Sequence, residues 1–191
     1  MITEINKSFF EEFPALESER LILRMILPRD SEDILIIRSN DKVMEFMDRP
    51  QMISLQESEE FIKSMIEDYK NQRGINWGII EKATNKFIGY FGFWKIKSAD
   101  CRGEIGFALK PDYWGNGYMS ETMVKILTFG FKNLMLHSIE ANVNPKNKSS
   151  IKLLEKHGFQ KEAYFRENIL FNNKFIDSII YSLLEKDLRY G

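Results

Sequence analysis

The chain has 191 residues, of which 43% are hydrophobic and 13% aromatic, so we expect one folded domain rather than a disordered segment. Lys and Arg total 27 against 28 Asp and Glu, and this balance argues against direct nucleic-acid binding. With no signal-peptide core, no apolar run of the about 18–20 residues that cross a membrane, and a single cysteine, we expect a cytoplasmic protein without membrane contact or internal disulfide.

The first predicted elements are a strand and two helices. Residues 1–17 are weakly patterned, and we expect a lead-in segment there. SERLILRMIL (18–27) alternates like a strand and ends before Pro28. Asp30 has the residue type and position of an N-cap for the helix DSEDILIIRS, and DKVMEFMD predicts a second short helix that ends before Pro50.

A longer helix and a hairpin follow. Ser54 and Glu57 have the spacing of a capping box, and apolar residues from Leu55 to Tyr69 recur at helical spacing. Residues 75–96 hold two apolar β runs separated by Ala-Thr-Asn-Lys, which predicts a β-hairpin.

The second half alternates strands and helices. GEIGFALKP predicts a strand, YMSETMVKILTFGFK an amphipathic helix, and HSIEANVN another strand. SSIKLLEKHGF predicts a short helix with Gly158 at its left-handed end. The last segment holds two strands around Asn172-Asn173-Lys174. This order indicates one α+β (mixed α/β) domain over residues 1–191, with its core at about 18–185.

The segment PDYWGNGYMSE (111–121) places two glycines between a predicted strand and a predicted helix. Glycines allow a backbone to approach an anion closely, and the first amides of a helix favour one. The segment lacks the lysine of a P-loop, and Ser120 stands where a dinucleotide fingerprint needs its third glycine. A plain turn that begins a helix and an anion-binding turn therefore both remain open.

Three segments together resemble the GNAT acetyltransferase superfamily, and within it the branch of ribosomal-protein N-terminal (alanine/serine) acetyltransferases. They are SERLILR followed by D-x-x-D, EIGFALKPDYWGNGY and NKSSIKLLEKHGF, and the resemblance extends over about residues 18–185. It implies a mostly antiparallel seven-stranded sheet with helices on both faces. Two parallel strands, here 103–110 and 138–143, are expected to separate in a V-shaped split that binds acetyl-CoA.

The resemblance also implies which residues bind the cosubstrate. The backbone of Phe107, Ala108 and Leu109 would pair with the pantetheine arm. The backbone amides of the turn would bind the pyrophosphate, and these belong to Trp114, Gly115, Asn116, Gly117, Tyr118, Met119 and Ser120. Asp112 stands where the family motif has a basic residue or glutamine. We therefore expect the amides and the helix terminus to bind the anion with little contribution from a side-chain cation.

Asn147 and Ser150 begin the last predicted helix. Asn147 suits an N-cap, and the resemblance adds a hydrogen bond from its amide to the pantetheine; both roles are compatible. Many superfamily members protonate the departing thiolate with a tyrosine that corresponds to Leu154 here. The resemblance makes the Ser150 hydroxyl the substitute donor, although a serine early in a helix is also ordinary.

Two carboxylates are candidate general bases, because the acceptor amine must lose a proton before it attacks the thioester. Glu104 begins a strand and matches a base position of some superfamily members. Glu167 is the second candidate. Either residue is also compatible with an ordinary surface role.

Several other residues favour structural roles. His157 falls in the last helical turn, where a partial positive charge suits the helix dipole. Trp77 and Trp94 are compatible with the core or with a substrate groove. No His or Cys spacing indicates a metal site, so no metal is expected.

The resemblance therefore implies an acetyl-CoA-dependent N-acetyltransferase. Its acceptor is either a protein N-terminus, such as that of a ribosomal protein, or a small amine such as a polyamine or aminoglycoside. A CoA-binding module without turnover is the alternative from another class. The protein would be a monomer or a homodimer.

Overall fold

The structure, a computed structural model that describes residues 4–190, is an eight-stranded mixed sheet with helices on both faces. The strands are β1 Leu16–Glu17, β2 Leu21–Met25, β3 Ile75–Glu81, β4 Lys86–Lys97, β5 Arg102–Leu109, β6 Ser138–Val143, β7 Gln160–Phe171 and β8 Lys174–Leu184. The α-helices are α1 Ser31–Arg38, α2 Asp41–Met44, α3 Leu55–Lys70, α4 Tyr118–Lys132 and α5 Lys148–Lys156.

The strand order is β1-β2-β3-β4-β5-β6-β8-β7, and only β5 and β6 run parallel. The mixed fold and its parallel pair are as expected, but the sheet has eight strands rather than seven. The additional strand is β1, which lies in the expected lead-in segment and pairs Leu16 with Leu23. Two residues are too few for an alternating pattern to reveal a strand.

A hydrophobic core lies on each face of the sheet. On one face, α4 and α5 bury Met123, Ile126, Leu127 and Leu154, each 0% exposed. On the other face, α1, α2 and α3 bury Ile34, Ile37, Val43 and Ile62 against Phe87, Tyr90 and Ala108 of the sheet. The sheet is therefore covered on both sides, and the ends and edges of its strands remain for a site.

Most predicted helix ends are confirmed. Ser54 Oγ accepts the N–H of Glu57 at 3.3 Å, and Gly158 has φ +95° just beyond α5. The predicted N-cap at Asp30 is wrong in its bonding, because this carboxylate makes no bond to an α1 amide. It accepts instead from both terminal nitrogens of Arg24, at 2.7 Å each, and from the N–H of Leu27 at 2.8 Å. A bidentate arginine outcompetes a helix amide for a buried carboxylate.

No helix among residues 4–190 is long and apolar enough to cross a membrane.

Candidate active site

Strands β5 and β6 separate after three paired residues. The last parallel pair joins Glu104 to Glu140, whereas β4 continues to pair with β5 as far as Leu109. The edge of β5 from residue 105 to residue 109 therefore faces away from β4 without a β6 partner. Backbone groups of such an edge need another partner, which an extended ligand with its own amides would provide.

Alternation along β5 identifies the groups that face this open edge. The N–H of Lys110 donates to Ile88 O on β4 at 2.8 Å. Because an antiparallel residue directs both its backbone groups to the same side, those of Ala108 point to β4 while those of Phe107 and Leu109 point to the split. The indole of Trp114 donates to Leu109 O at 2.8 Å, so Leu109 retains its N–H for a ligand.

The turn before α4 has the geometry of an anion site. Gly115 and Gly117 have φ +76° and +80°, and no atom lies within 4 Å of a Cβ built at Gly115. The N–H of Trp114 already donates to Pro111 O, so the row of available amides begins at Gly115 rather than at Trp114. Within the described chain, the backbone N–H groups from Gly115 to Ser120 have no backbone acceptor, as expected for the start of a helix. Asn116, Tyr118 and Met119 lie in this row.

Two cations border the turn, although neither follows from the family motif. Arg20 donates to Asn116 O at 3.0 Å and forms an ion pair with Glu121 at 2.7 Å. Lys156 donates from α5 to Ser120 Oγ at 3.0 Å. The ammonium of Lys156 thus stands at the N-terminal turn of α4, where the helix dipole already favours an anion.

The Ser120 hydroxyl, which accepts from Lys156, also contacts the side chain of His157. The His157 side chain is fully buried, with Nδ1 3.1 Å from Arg189 O and Nε2 2.8 Å from Ser120 Oγ. Burial lowers the pKa of His157, which opposes the partial positive charge expected at the helix C-terminus, whereas its burial and its two contacts agree with the structural role. Because a carbonyl only accepts, Nδ1 carries the proton and the neutral Nε2 accepts from Ser120.

Asn147 and Ser150 lie at the start of α5, directly after β6. Asn147 Oδ1 accepts the N–H of Ser150 at 3.0 Å, which confirms the N-cap. The capping bond uses the amide oxygen only, so the Asn147 NH₂ group remains a donor. Ser150 is half-buried in the first turn of α5.

Glu104 stands where the split begins. It is half-buried, and burial followed by the like charge of Glu140 raises its pKa, whereas Lys95, Lys97 and Arg49 act in the opposite direction. A carboxylate with a raised pKa at the junction of two separating strands has the properties of a general base.

The second carboxylate lies elsewhere. Glu167 is exposed in the irregular part of β7, has φ +51°, and donates its N–H to Asp177 Oδ1 at 2.8 Å. Asp177 lies five residues before Ser182 on β8, and Ser182 pairs with Glu140, which in turn pairs with Glu104. The two candidate bases are therefore offset by roughly 16 Å along the strand direction. The structure does not bring Glu104 and Glu167 together.

An aromatic side chain covers the sheet beside Glu104. Trp94 is 40% exposed and lies over Gly106, where a Cβ would be 3.3 Å from its ring. The guanidinium of Arg49 stacks on Trp94 with 4.9 Å to the ring centre. Trp77, in contrast, is fully buried and donates to Pro14 O. Of the two tryptophans that the sequence left open, Trp77 is in the core and Trp94 lies exposed at the surface beside Glu104.

No pattern in the sequence predicted Arg20, Arg49 or Lys156 at this site. Arg20 and Arg49 reach it from distant segments, and no local motif marks them. Lys156 could have been found, because it lies in the helix that follows the Asn147 cap and directly precedes the buried His157.

Comparisons with known proteins agree with this geometry. Residues 20–160 match the family model described as the acetyltransferase (GNAT) domain. The chain is 38% identical over 173 residues to the uncharacterised N-acetyltransferase YoaA of Bacillus subtilis (strain 168), covering 91% of this chain and 98% of YoaA. It superposes with TM-score 0.80 and 28% identity on a GNAT-family acetyltransferase of Bacillus anthracis, covering 91% of this chain and 99% of that one. It is also 25% identical over 126 residues to the [ribosomal protein uS5]-alanine N-acetyltransferase of Escherichia coli (strain K12), covering 65% of each.

Proposed function

This chain belongs to the GNAT acetyltransferase family and is an N-acetyltransferase, and we propose that it transfers the acetyl group of acetyl-CoA directly to a protein N-terminal amine. The observation that carries the proposal is the separation of β5 from β6 after Glu104, followed after β5 by a glycine turn whose amides from Gly115 to Ser120 have no backbone acceptor among residues 4–190. The open edge suits an amide-bearing arm, and the turn suits a pyrophosphate.

The residues at the split fit such a cosubstrate. The backbone groups of Phe107 and the N–H of Leu109 would pair with the arm, and the NH₂ group of Asn147 would donate to it. The amides from Gly115 to Ser120 and the ammonium of Lys156 would bind the pyrophosphate. The empty space beside Gly115 leaves room for the anion.

The chemistry requires one proton acceptor and one donor. Acetyl-CoA provides an activated thioester. Glu104, with its raised pKa, would take the proton of the acceptor ammonium directly or through water. The Ser150 hydroxyl would donate a hydrogen bond to the departing sulfur, and since a free thiol has a pKa of about 8.5 a stronger acid is not required.

Two observations support a protein acceptor over a polycation. One relative acetylates the alanine of a ribosomal protein, as its name states. The acceptor side of Glu104 carries the guanidinium of Arg49 over Trp94, and a cation there opposes the binding of a polyamine or aminoglycoside.

The test combines binding with turnover. Calorimetry with acetyl-CoA comes first, followed by thiol release with peptides that begin with alanine or serine, their N-terminally blocked counterparts, and spermidine. We expect acetyl-CoA to bind and only the free peptides to react. Turnover of spermidine alone would contradict the protein acceptor. Binding without transfer to any amine would favour a non-catalytic CoA module, and an absence of binding would exclude both.

A further inference from the structure

Among residues 4–190, Arg38 is a buried cation without a carboxylate partner. It lies one turn beyond Ile34 on the buried face of α1 and is only 7% exposed. Its Nη1 donates to the Tyr90 hydroxyl at 3.2 Å, and its Cζ lies 4.7 Å from the centre of the Phe61 ring. None of the salt bridges within residues 4–190 includes Arg38, and its Nε is buried without any hydrogen-bond acceptor.

Such an arrangement is unfavourable in the protein as it stands. A guanidinium keeps its charge at every physiological pH, and buried charges are normally paired. The same part of the molecule provides a contrast, because Arg24 meets Asp30 with two bonds of 2.7 Å. Arg38 has the same planar set of N–H donors, but no anion among residues 4–190 accepts from them. This points to an anion that a ligand brings to the site.

The side chain of Arg38 belongs to the same face of the sheet as Glu104. Tyr90, its hydrogen-bond partner, pairs with Ala108 of β5. Ala108, Gly106 and Glu104 alternate along β5 and therefore share one face. The pair Tyr90–Ala108 and the pair Lys95–Glu104 form two rows across the sheet. Four residues of strand separate these rows, which corresponds to roughly 13 Å.

The sheet surface between these two rows is a floor on which an amide and an indole lie over two glycines. Gly92 of β4 pairs with Gly106 of β5, so these two positions carry no side chain of their own. The Asn76 amide occupies the space above Gly92, and Trp94 lies over Gly106 next to Glu104. An acceptor with its amine at Glu104 would reach Arg38 if its next atoms followed this floor along Trp94 and Asn76.

We propose that Arg38 binds an anionic group of the acceptor, a carboxylate or a phosphate, whose amine is acetylated beside Glu104. The inference rests on the proposed function, because it presupposes an acceptor amine at Glu104. A planar guanidinium forms paired hydrogen bonds with either group, and its charge disfavours a cationic chain on the same floor. In a peptide acceptor the anion is an acidic or phosphorylated side chain close to the N-terminus.

The first test uses acceptors that differ only in the anion. Because roughly 13 Å of sheet separates the two rows, one arm compares short peptides with aspartate or asparagine at the fourth position, a second compares phosphoserine with serine there, and a third compares 6-aminohexyl phosphate with 6-aminohexanol. In at least one arm, wild-type kcat/KM should favour the anionic member by about tenfold or more. Arg38→Met should bring that ratio close to one, while the exposed control Arg29→Met keeps it. A ratio near one in every arm where turnover occurs, or a ratio that Arg38→Met leaves unchanged, would overturn the proposal.

Thermal unfolding separates recognition from a structural role. A buried cation kept for a ligand destabilises the free protein, so Arg38→Met combined with Tyr90→Phe, which removes the orphaned hydroxyl, should unfold at the same or a higher temperature. A clear drop in unfolding temperature would show that the guanidinium supports the fold, and would contradict the proposal.

A third measurement needs no turnover. The Nε–H of Arg38 is sheltered from solvent and should give an arginine side-chain resonance that disappears in Arg38→Met. Titration with glutarate or with inorganic phosphate should shift this resonance, and the more effective anion identifies the chemical source. No shift with either probe would overturn the inference even if acetyl-CoA binds. Failure of the proposed function is seen separately, as absent acetyl-CoA binding in calorimetry.

Discussion

The hydroxyl of Ser120 lies 2.8 Å from Nε2 of His157, and this contact joins the first turn of α4 to the end of α5. Nδ1 of the same ring contacts Arg189 O near the end of the chain. One neutral imidazole therefore connects the proposed pyrophosphate site with the C-terminal segment.

This contact predicts a loss of stability in acid. Burial lowers the pKa of His157 in the folded protein, so the unfolded chain binds the proton more readily. The contribution of His157 is present above the unfolded pKa of about 6.5 and is lost as the pH falls through the lower folded pKa. Denaturant unfolding between pH 8 and about 5 should show this loss in wild type. His157→Gln should be less stable at pH 8 by about 1–3 kcal/mol and depend less on pH. The exposed His137→Gln is the matched control and should behave as wild type.

Glu104→Gln should lower kcat by about a hundredfold or more, because the variant lacks the proposed base. Its pH–rate profile should lose the limb that belongs to Glu104, while Glu140→Gln should move that limb to lower pH by removing a like charge. A raised carboxylate pKa contributes stability below its unfolded value and loses it as the pH rises through the folded value. Glu104→Gln should therefore be at least as stable as wild type at pH 7. If Glu167→Gln slowed the reaction and Glu104→Gln did not, the base would be misassigned.

Gly117→Val should weaken acetyl-CoA binding more than it weakens the fold. A β-branched residue at φ +80° is strained and reshapes the turn, although its Cβ would meet only Arg20 Nη2 at 3.5 Å. Gly158→Ala is the opposite case, because its Cβ would stand 2.0 Å from Asp187 O. That variant should lower the unfolding temperature while its folded fraction retains the wild-type affinity. Calorimetry and thermal unfolding on both proteins give the comparison, and similar effects of the two variants would contradict it.

Lys156→Met should raise the Kd of acetyl-CoA by about tenfold and reduce its dependence on salt, because one charge–phosphate contact is lost. Lys152 is an exposed lysine one turn earlier on the same helix, and Lys152→Met should leave the affinity close to wild type. Equal effects of the two changes would assign the loss to overall charge.

Local patterns predicted the elements whose stability is local. The hairpin of β3 and β4, the amphipathic α4 and the Asn147 cap each follow from neighbouring residues, and all are confirmed. The parallel pair of β5 and β6 came from the family resemblance rather than from periodicity. The position of β8 between β6 and β7 was not predicted, because it depends on pairing across the sheet.

The site was less predictable for the same reason. The amides of the turn follow from Gly115 and Gly117, but the cations around it come from the residue before β2 and from the end of α5. Arg38 shares a helix face with Ile34 and Ile37, which the sequence already indicates, but only the structure shows that no carboxylate in the described part of the chain pairs with it. His157 was assigned a charge from its place in a helix, whereas its burial decides its protonation.

The three tryptophans of the chain divide the molecule into separately observable regions. Trp77 is buried in the core, Trp94 is exposed beside the proposed acceptor site, and Trp114 donates to the strand edge that would hold the cosubstrate. Their intrinsic fluorescence can therefore report separately on cosubstrate binding, acceptor binding and unfolding. Single-tryptophan variants would let the fluorescence of Trp114 follow the filling of the split, that of Trp94 the arrival of an acceptor, and that of Trp77 the integrity of the fold.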